Sequence, residues 1–570
     1  MKKQRWLVLL TLVLAVGMVL SACGSSNNSG NKGASSSTDT SSSPSSSDAG
    51  GEKLAADQTL RINFAADVPT FDPAQAQDNQ AHTALNLTYE GLVRVDASNK
   101  EVPGVAESWE PSADGKTYTF HLRKDAKWSN GDPVTAHDFV YAWQRVLDPA
   151  TDPAPAYSYQ LYYLENAEAY NKKKITDFSK VGVKAVDEYT LEVKLTNPTP
   201  YFVNLTSFYT YFPVHKSVKD NPKWATDPST MITNGPFTLK SLVTGQSMEF
   251  DKNPNYWDNA DIKLNKIKAT VVNSSATEVL SYQNGELERA GKPNGDIPAD
   301  QLPILKDQYK DEFKLDPVAN IYYYEFNMKA KPFDNAKIRK AFSMAISRDD
   351  IVNKVTMGGE APAFGFIPPG IKGAESNYRD EYKDDFFTED VEQAKQLLQE
   401  GMQEAGYTTL PPITLIYNTN DNHKKIALAI VDMWKKNLGV DVTIQNQEWG
   451  VFIKNRQNGD YQVARAGWVP DYNDPMTFID MWTKNSGNND IKLDNPEYDK
   501  LVADAYTNSD SKARMEAFYK AEKILIQDEA GVMPIYYYTQ ASLTKDYLKG
   551  VTIDYSGAVD YSRAYLTEHK

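Results

Sequence analysis

Ala106-Glu-Ser-Trp-Glu-Pro-Ser-Ala-Asp-Gly-Lys-Thr-Tyr-Thr-Phe-His-Leu-Arg-Lys-Asp-Ala-Lys-Trp-Ser-Asn-Gly-Asp-Pro-Val-Thr-Ala-His-Asp-Phe139 packs several local signals into one run. Val105–Trp109 and Thr117–Leu122 flank the turn signal Asp114-Gly115, which predicts a β-hairpin. Trp128 leads into a second turn at Asn130-Gly131. Thr135 and Asp138 have capping-box spacing, and Phe139, Trp143, Val146 and Leu147 then share one helical face.

Outward from that run, Gln58–Ala65 reads as a strand and Ala81–Tyr89 as a short helix. Ile175–Leu195 reads as strand, turn and strand, and Thr233–Leu239 begins another β region. Tyr322–Met328 is a strand, followed by one helix over 333–355 that turns Ile338, Ala341, Phe342, Ala345 and Ile346 inward. The last third alternates: a helix capped by Thr388 and stopping at Gly406, strand 413–417, helix 426–438 ended by Gly439, then strands 440–444 and 461–464. Alternation of this kind makes an α/β lobe.

The N-terminus carries Lys2, Lys3 and Arg5, an apolar run from Trp6 to Leu20, and Leu20-Ser21-Ala22-Cys23, the last being the single cysteine. This resembles the lipobox of a bacterial lipoprotein signal peptide, which implies lipidation of Cys23 after cleavage before it. An ordinary secretory signal or an uncleaved anchor helix is the alternative. Gly24–Gly51 is almost wholly small and polar and reads as a flexible tether. The 570-residue chain is long enough for two or three lobes, and a body without cysteine is held by packing rather than disulfides. Its net charge of −15, with no long block of one sign, argues against nucleic acid as a partner. Tyr outnumbers Phe, 34 to 21, supplying rings that bury a face while offering a hydroxyl.

The Ala106–Phe139 run closely resembles the signature of the extracellular solute-binding proteins of family 5, the periplasmic or lipoprotein receptors of peptide and nickel ABC importers. Similarity to the oligopeptide-binding members extends from Leu60 to the C-terminus. It implies an α/β, periplasmic-binding-protein-like fold of two mixed-sheet lobes with a hinge and an additional inserted domain. The implied division is a leader at 1–22, a lipidated Cys and Ser-rich tether at 23–56, lobe I from 57–91, 217–321 and 540–570, inserted domain II at 92–216, and lobe III at 322–539. The implied role is capture of extracellular oligopeptides for permease transmembrane subunits with cytoplasmic ATPases. Such a protein is expected to be a monomer without cofactor, metal or enzymatic activity, and to sit outside the cytoplasm, held by its lipid on the cell membrane of a Gram-positive bacterium.

Ligands of α/β lobes gather where strands end. Three such junctions carry polar groups: Asn418–His423, Gln447–Trp449 and Arg465–Asp471. A free peptide is a zwitterion, so a receptor indifferent to side chains needs an acid for one end and cations for the other. Asp471 suits the ammonium; Arg465 and His423 suit the carboxylate. From spacing alone Asp471 reads more readily as a turn residue, Arg465 as a surface cation of a strand, and His423 as an exposed helix residue. The resemblance implies the binding roles, and it places Arg456, Trp449, Trp468, Gly467, Val469, Tyr157, Tyr323, Glu325, Asn418, Tyr538 and Gln77 on pocket positions. Thr356 stands where the family often has a lysine, and Gln77 where it often has an acid. A related receptor for a signalling peptide, nickel chelate or opine is one alternative, although six scattered His are poor support for a metal cage. A secreted peptidase is the other, without any His-Glu-x-x-His or Gly-x-Ser-x-Gly motif to support it.

Overall fold

Ala106–Pro111 and Thr117–Leu122 pair antiparallel across the anticipated turn. Ala136–Leu147 follows as a helix, and its capping box closes as Asp138 accepts the Thr135 N–H at 2.8 Å. Trp143 on its inner face is fully buried and donates its indole N–H to the Tyr211 carbonyl at 2.9 Å. The hairpin extends through Thr190–Lys194 and Val183–Asp187 into a four-stranded antiparallel sheet.

This computed structural model describes residues 53–221, 223–484 and 486–569, without the side chains of Asp421, Trp449 and Gly450. The leader, Cys23 and all of the tether up to residue 52 lie outside the described residues. Among the described residues no helix is long and apolar enough to cross a membrane.

The larger sheet is mixed. Its strands run in the order Val442–Gln447, Ile413–Asn418, Val463–Trp468, Phe313–Phe326, Val532–Thr544, Arg289–Gly291, Thr59–Phe64, Lys266–Val271, Ser247–Lys252 and Phe237–Val243, with Ala361–Pro362 added against Val532–Thr544. Its spine is the antiparallel pair Phe313–Phe326 and Val532–Thr544. One stretch of this pair carries Arg289–Gly291 at residues 542–544, and the other carries Val463–Trp468 at residues 321–326. Between the two stretches the ladder breaks: Pro317 faces Thr539 and Ile321 faces Tyr537, so Val318, Ala319 and Asn320 bulge opposite Tyr538 alone. The bulge is tied down from outside by the Ala319 N–H donating to the Tyr555 carbonyl at 2.7 Å.

Alternation along Phe313–Phe326 feeds two cores. Tyr322, Tyr324 and Phe326 pack on one face with Phe342, Ile430 and Trp434, while Tyr323 packs on the other with Phe366 and Trp482. Three expectations need correcting. The single helix over 333–355 is broken into Ala336–Met344, Arg348–Asp350 and a wide turn at Ile351–Thr356, because the Ser347 hydroxyl starts a new cap by accepting the Asp350 N–H at 3.1 Å. The helix Val391–Glu404 is capped by Asp390 rather than Thr388. The strand expected at 461–464 is Val463–Trp468, so Arg465 and Gly467 lie within it rather than beyond its end.

Candidate functional site

Strand Val463–Trp468 lies between Ile413–Asn418 and Phe313–Phe326. Period-two alternation puts Arg465 and Gly467 on one face and Ala464, Ala466 and Trp468 on the other. On the first face the Arg465 guanidinium lies 4.5 Å from the Tyr322 ring centroid. Its Nη2 donates to the Tyr538 hydroxyl at 3.1 Å, and its Nη1 reaches Asn418 Oδ1 at 3.5 Å. A Cβ on Gly467 would sit 3.2 Å from that Nη2 and 3.3 Å from the Ile321 carbonyl oxygen, so the missing side chain makes room for the guanidinium. Buried Arg465 Nε has no partner, and among the described residues no carboxylate forms an ion pair with this arginine. Burial alone would lower its pKa, but the oxygens of Tyr538 and Tyr322 more than offset that and hold it firmly cationic.

His423 joins the same group. It is the third residue of helix Asp421–Leu438, whose N-cap Asn420 accepts the His423 N–H at 3.1 Å. Its Nδ1 lies 3.2 Å from the Tyr322 hydroxyl. Burial, and secondarily the charge of Arg465, depress the imidazole pKa to about 3. His423 therefore offers a hydrogen bond rather than the second cation expected from the sequence. Tyr322, which the sequence reading treated only as a strand residue, is the hub; it stacks on Tyr536 at 4.8 Å.

Beyond the strand the chain turns through Val469 and Pro470 to Asp471. The Thr477 hydroxyl fixes this turn by accepting the Asp471 N–H at 3.2 Å and the Trp468 indole N–H at 3.5 Å. Asp471, Trp468, Val469, Tyr157 and Gln77 all border one cavity of about 380 Å³. Its walls also include Asp78, His82, Asn86, Tyr159 and Tyr209, which the sequence reading did not single out. Asp471 receives the Tyr159 hydroxyl at 3.4 Å, and no cation among the described residues pairs with it. Burial pushes its pKa up to about 7, against the pull of that one hydrogen bond. Asp480 is raised likewise to about 7, by burial first and then by the charges of Asp471 and Asp474.

Arg465, His423, Gly467, Asn418 and Tyr538 form the group described above and do not border this cavity, and Glu325, Arg456 and Tyr323 stand elsewhere again. Glu325 is wholly buried and takes Arg456 Nε at 2.7 Å and Nη2 at 3.1 Å, while Asp490 takes the same Nη2 at 3.2 Å. That pair neutralises itself inside the protein and does not border the cavity. Tyr323 points into the aromatic core with its hydroxyl unpartnered. Trp449 opens the helix Trp449–Asn458, and its side chain lies outside the described part. Thr356 donates its hydroxyl to Glu360 Oε2 at 2.9 Å.

The segment after Asp471 docks on residues 157–211. Tyr472 stacks on Tyr201, its hydroxyl meets that of Tyr163 at 3.1 Å, and the Asn473 N–H donates to Asn204 Oδ1 at 3.1 Å. Tyr506 stacks on Tyr163 with ring centroids 6.5 Å apart. Contacts so distant in sequence leave no local signature.

Comparison with known proteins places this geometry in context. The model of "Bacterial extracellular solute-binding proteins, family 5 Middle" matches residues 100–490. The chain is 42% identical over 575 residues to the oligopeptide-binding protein OppA of Bacillus subtilis, covering 99% of this chain and 100% of the relative. It is 40% identical over 509 residues to the periplasmic oligopeptide-binding protein OppA of Salmonella typhimurium, covering 88% and 91%. Among solved structures, the unliganded open form of the periplasmic murein tripeptide-binding protein MppA superposes with a TM-score of 0.76 at 37% identity, covering 91% of this chain and 99% of that one. Haemophilus influenzae OppA in complex with RPPGFSPFR gives 0.74 at 36% identity, covering 90% and 100%.

Proposed function

The chain belongs to the bacterial extracellular solute-binding proteins of family 5, and from that premise we propose that it captures oligopeptides outside the cytoplasm and delivers them to an ABC permease. One observation carries the reading. On a single strand and the turn that leaves it, a cation without an anion, Arg465, and a carboxylate without a cation, Asp471, are held ready.

Uncompensated buried charge is costly, and a native fold keeps it only where something completes it. Asp471 stands six positions after Arg465, so their backbones are at most about 20 Å apart. An extended peptide of a few residues, rising about 3.4 Å per residue, brings an ammonium and a carboxylate to such a spacing. Asp471 takes the ammonium. Arg465 takes the carboxylate, with His423, Asn418 and Tyr538 orienting it. Trp468, Val469, Tyr157 and Gln77 border the cavity at the ammonium end, where water adapts to differing side chains. Gly467, by lacking a side chain, leaves the arginine face of the strand open.

In this proposal the ligand lies between lobe I and lobe III as the resemblance divides them, with domain II, 92–216, against the Asp471 turn. The bulge at 318–320 serves as part of the hinge, because pairing in the spine lapses there. Lipidation of Cys23 on a Gram-positive cell membrane would keep the receptor beside its permease, and the tether would let it move. It works as a monomer and releases its peptide uncleaved. The test is native mass spectrometry of protein purified without denaturation, followed by calorimetry with tripeptides and tetrapeptides of varied sequence. Co-purified peptides and binding that depends on both free termini are expected. A protein that carries no peptide and gives no heat with any of them ends the reading.

A further inference from the structure

The wall that holds Arg465 carries a second charge. Gly358–Pro362 runs antiparallel beside Tyr536–Thr539: Ala361 faces Tyr537, Pro362 faces Tyr536, and the Thr539 hydroxyl donates to the Gly358 carbonyl at 2.6 Å. Continued by one residue, that register sets Glu360 beside Tyr538, the residue whose hydroxyl accepts from Arg465. The Glu360 carboxylate is held in place. Its Oε2 accepts the Thr356 hydroxyl and the Gly358 N–H, each at 2.9 Å. Among the described residues no cation pairs with it, and Lys354, six residues before it, is engaged by Asp350 at 2.6 Å. Its charge reaches the tyrosine wall: burial first, then Tyr538, Tyr322 and Glu360, keep the Tyr536 hydroxyl from ionising.

An oriented, half-buried carboxylate with a free oxygen beside the anion-binding arginine is an arrangement of specificity. We infer that Glu360 reads charge at the carboxyl-terminal end of the bound peptide, favouring a lysine or arginine side chain there and rejecting an acidic one. The inference rests on the peptide reading above and deepens it. Arg465 fixes the terminal carboxylate, and the side chain of the last or penultimate residue then projects along the Tyr536–Tyr538 wall towards Glu360. A basic side chain completes a charge-assisted pair, while an acidic one faces a fixed like charge in a partly desolvated site.

Calorimetry with tripeptides and tetrapeptides that differ only in a Lys, Ala or Glu at each of the last two positions tests this. The wild-type protein is expected to prefer Lys to Glu by at least about tenfold at one of them. Glu360→Gln, which preserves shape and removes charge, should lower that ratio about tenfold; Glu360→Lys should invert it. Wild-type binding with a Lys-to-Glu ratio that neither substitution changes overturns the role of Glu360 and leaves the peptide reading standing. Failure of the wild type to bind any of the peptides overturns both.

Discussion

Tyr472 and Tyr201 stack face to face, with ring centroids 4.4 Å apart and planes within 4°, and Tyr472 is the residue next to Asp471. The ring pair therefore pins the turn that carries Asp471 to the segment around Tyr201. Stacked aromatic pairs are worth about 0.5–1.5 kcal/mol beyond their buried area. Tyr201→Ala and Tyr472→Ala should each weaken peptide binding several-fold, and a double-mutant cycle should return a coupling of about 1 kcal/mol. Additive effects in calorimetry would show that the stack does not position the turn.

Asp471→Ala should weaken all peptides by roughly 10- to 100-fold whatever their sequence, because each presents the same ammonium. N-acetylated peptides should bind the wild type as poorly as free peptides bind the variant, and the variant should not distinguish the two. A variant that still prefers free amino termini would remove Asp471 from the site.

The raised carboxyl pKa of Asp471, about 7, gives a pH dependence whose sign is fixed. Binding an ammonium requires the ionised form, so affinity should rise by up to about tenfold per unit from pH 5 to 7, with protons released on binding. The stability of the protein without peptide should move oppositely. A carboxyl whose folded pKa lies above its unfolded value stabilises most below about pH 4, and that contribution is lost as pH climbs towards 7. Asp480, raised alongside it, titrates with it as a pair. Titration in buffers of different ionisation enthalpy counts the released protons, and a flat affinity profile between pH 5 and 7 contradicts the assignment.

Arg465→Met should remove the charge while keeping a long apolar stem against Tyr322, and should cost peptides with a free carboxylate about 10- to 100-fold. C-terminally amidated peptides should lose little further affinity in this variant. Equal losses for both classes would mean that the guanidinium supports the tyrosine wall and does not touch the ligand.

Arg456 and Glu325 predict a different outcome, because their bond is internal. Arg456→Met leaves Glu325, which is 0% exposed, without its bidentate partner, and should destabilise the fold by about 3–5 kcal/mol. Thermal melts should show the loss. If melting is unchanged while peptide affinity falls sharply, the pair belongs to the binding surface.

How much of this was legible in the chain follows from the range of each interaction. The hairpin and the capping box at Thr135 and Asp138 are set by neighbours within a few residues and form where the sequence puts them, whereas the strand expected at 461–464 runs on through Trp468 and takes Arg465 into the sheet. Ser347 and Asp390 show the limit of local reading: Ser347 starts a new helix inside a stretch whose period reads as one, and Asp390 caps a helix for which Thr388 is an equally plausible start. Resemblance supplied Arg456, Glu325 and Tyr323, but the burial of Glu325 and Tyr323 depends on which face of Phe313–Phe326 meets which core, and Arg456 follows Glu325 inward from its helix. Tyr322 and Tyr159 have partners in distant segments, and Glu360, although its hydrogen bonds are local, gains its interest only from the pairing of its strand with Tyr536 and Tyr537; the consecutive tyrosines from Tyr322 to Tyr324 are the one available hint.

The three-residue bulge at Val318–Asn320 faces Tyr538 alone, and Tyr538 is the hydroxyl that Arg465 holds. A gap in a ladder is a compliant strip between two stiff plates, so torque concentrates there and spares the aromatic cores on either side. On the proposed function, whatever engages Arg465 would pull on the joint itself, and the grip on one end of a cargo would become a mechanical input to the swing of the lobes.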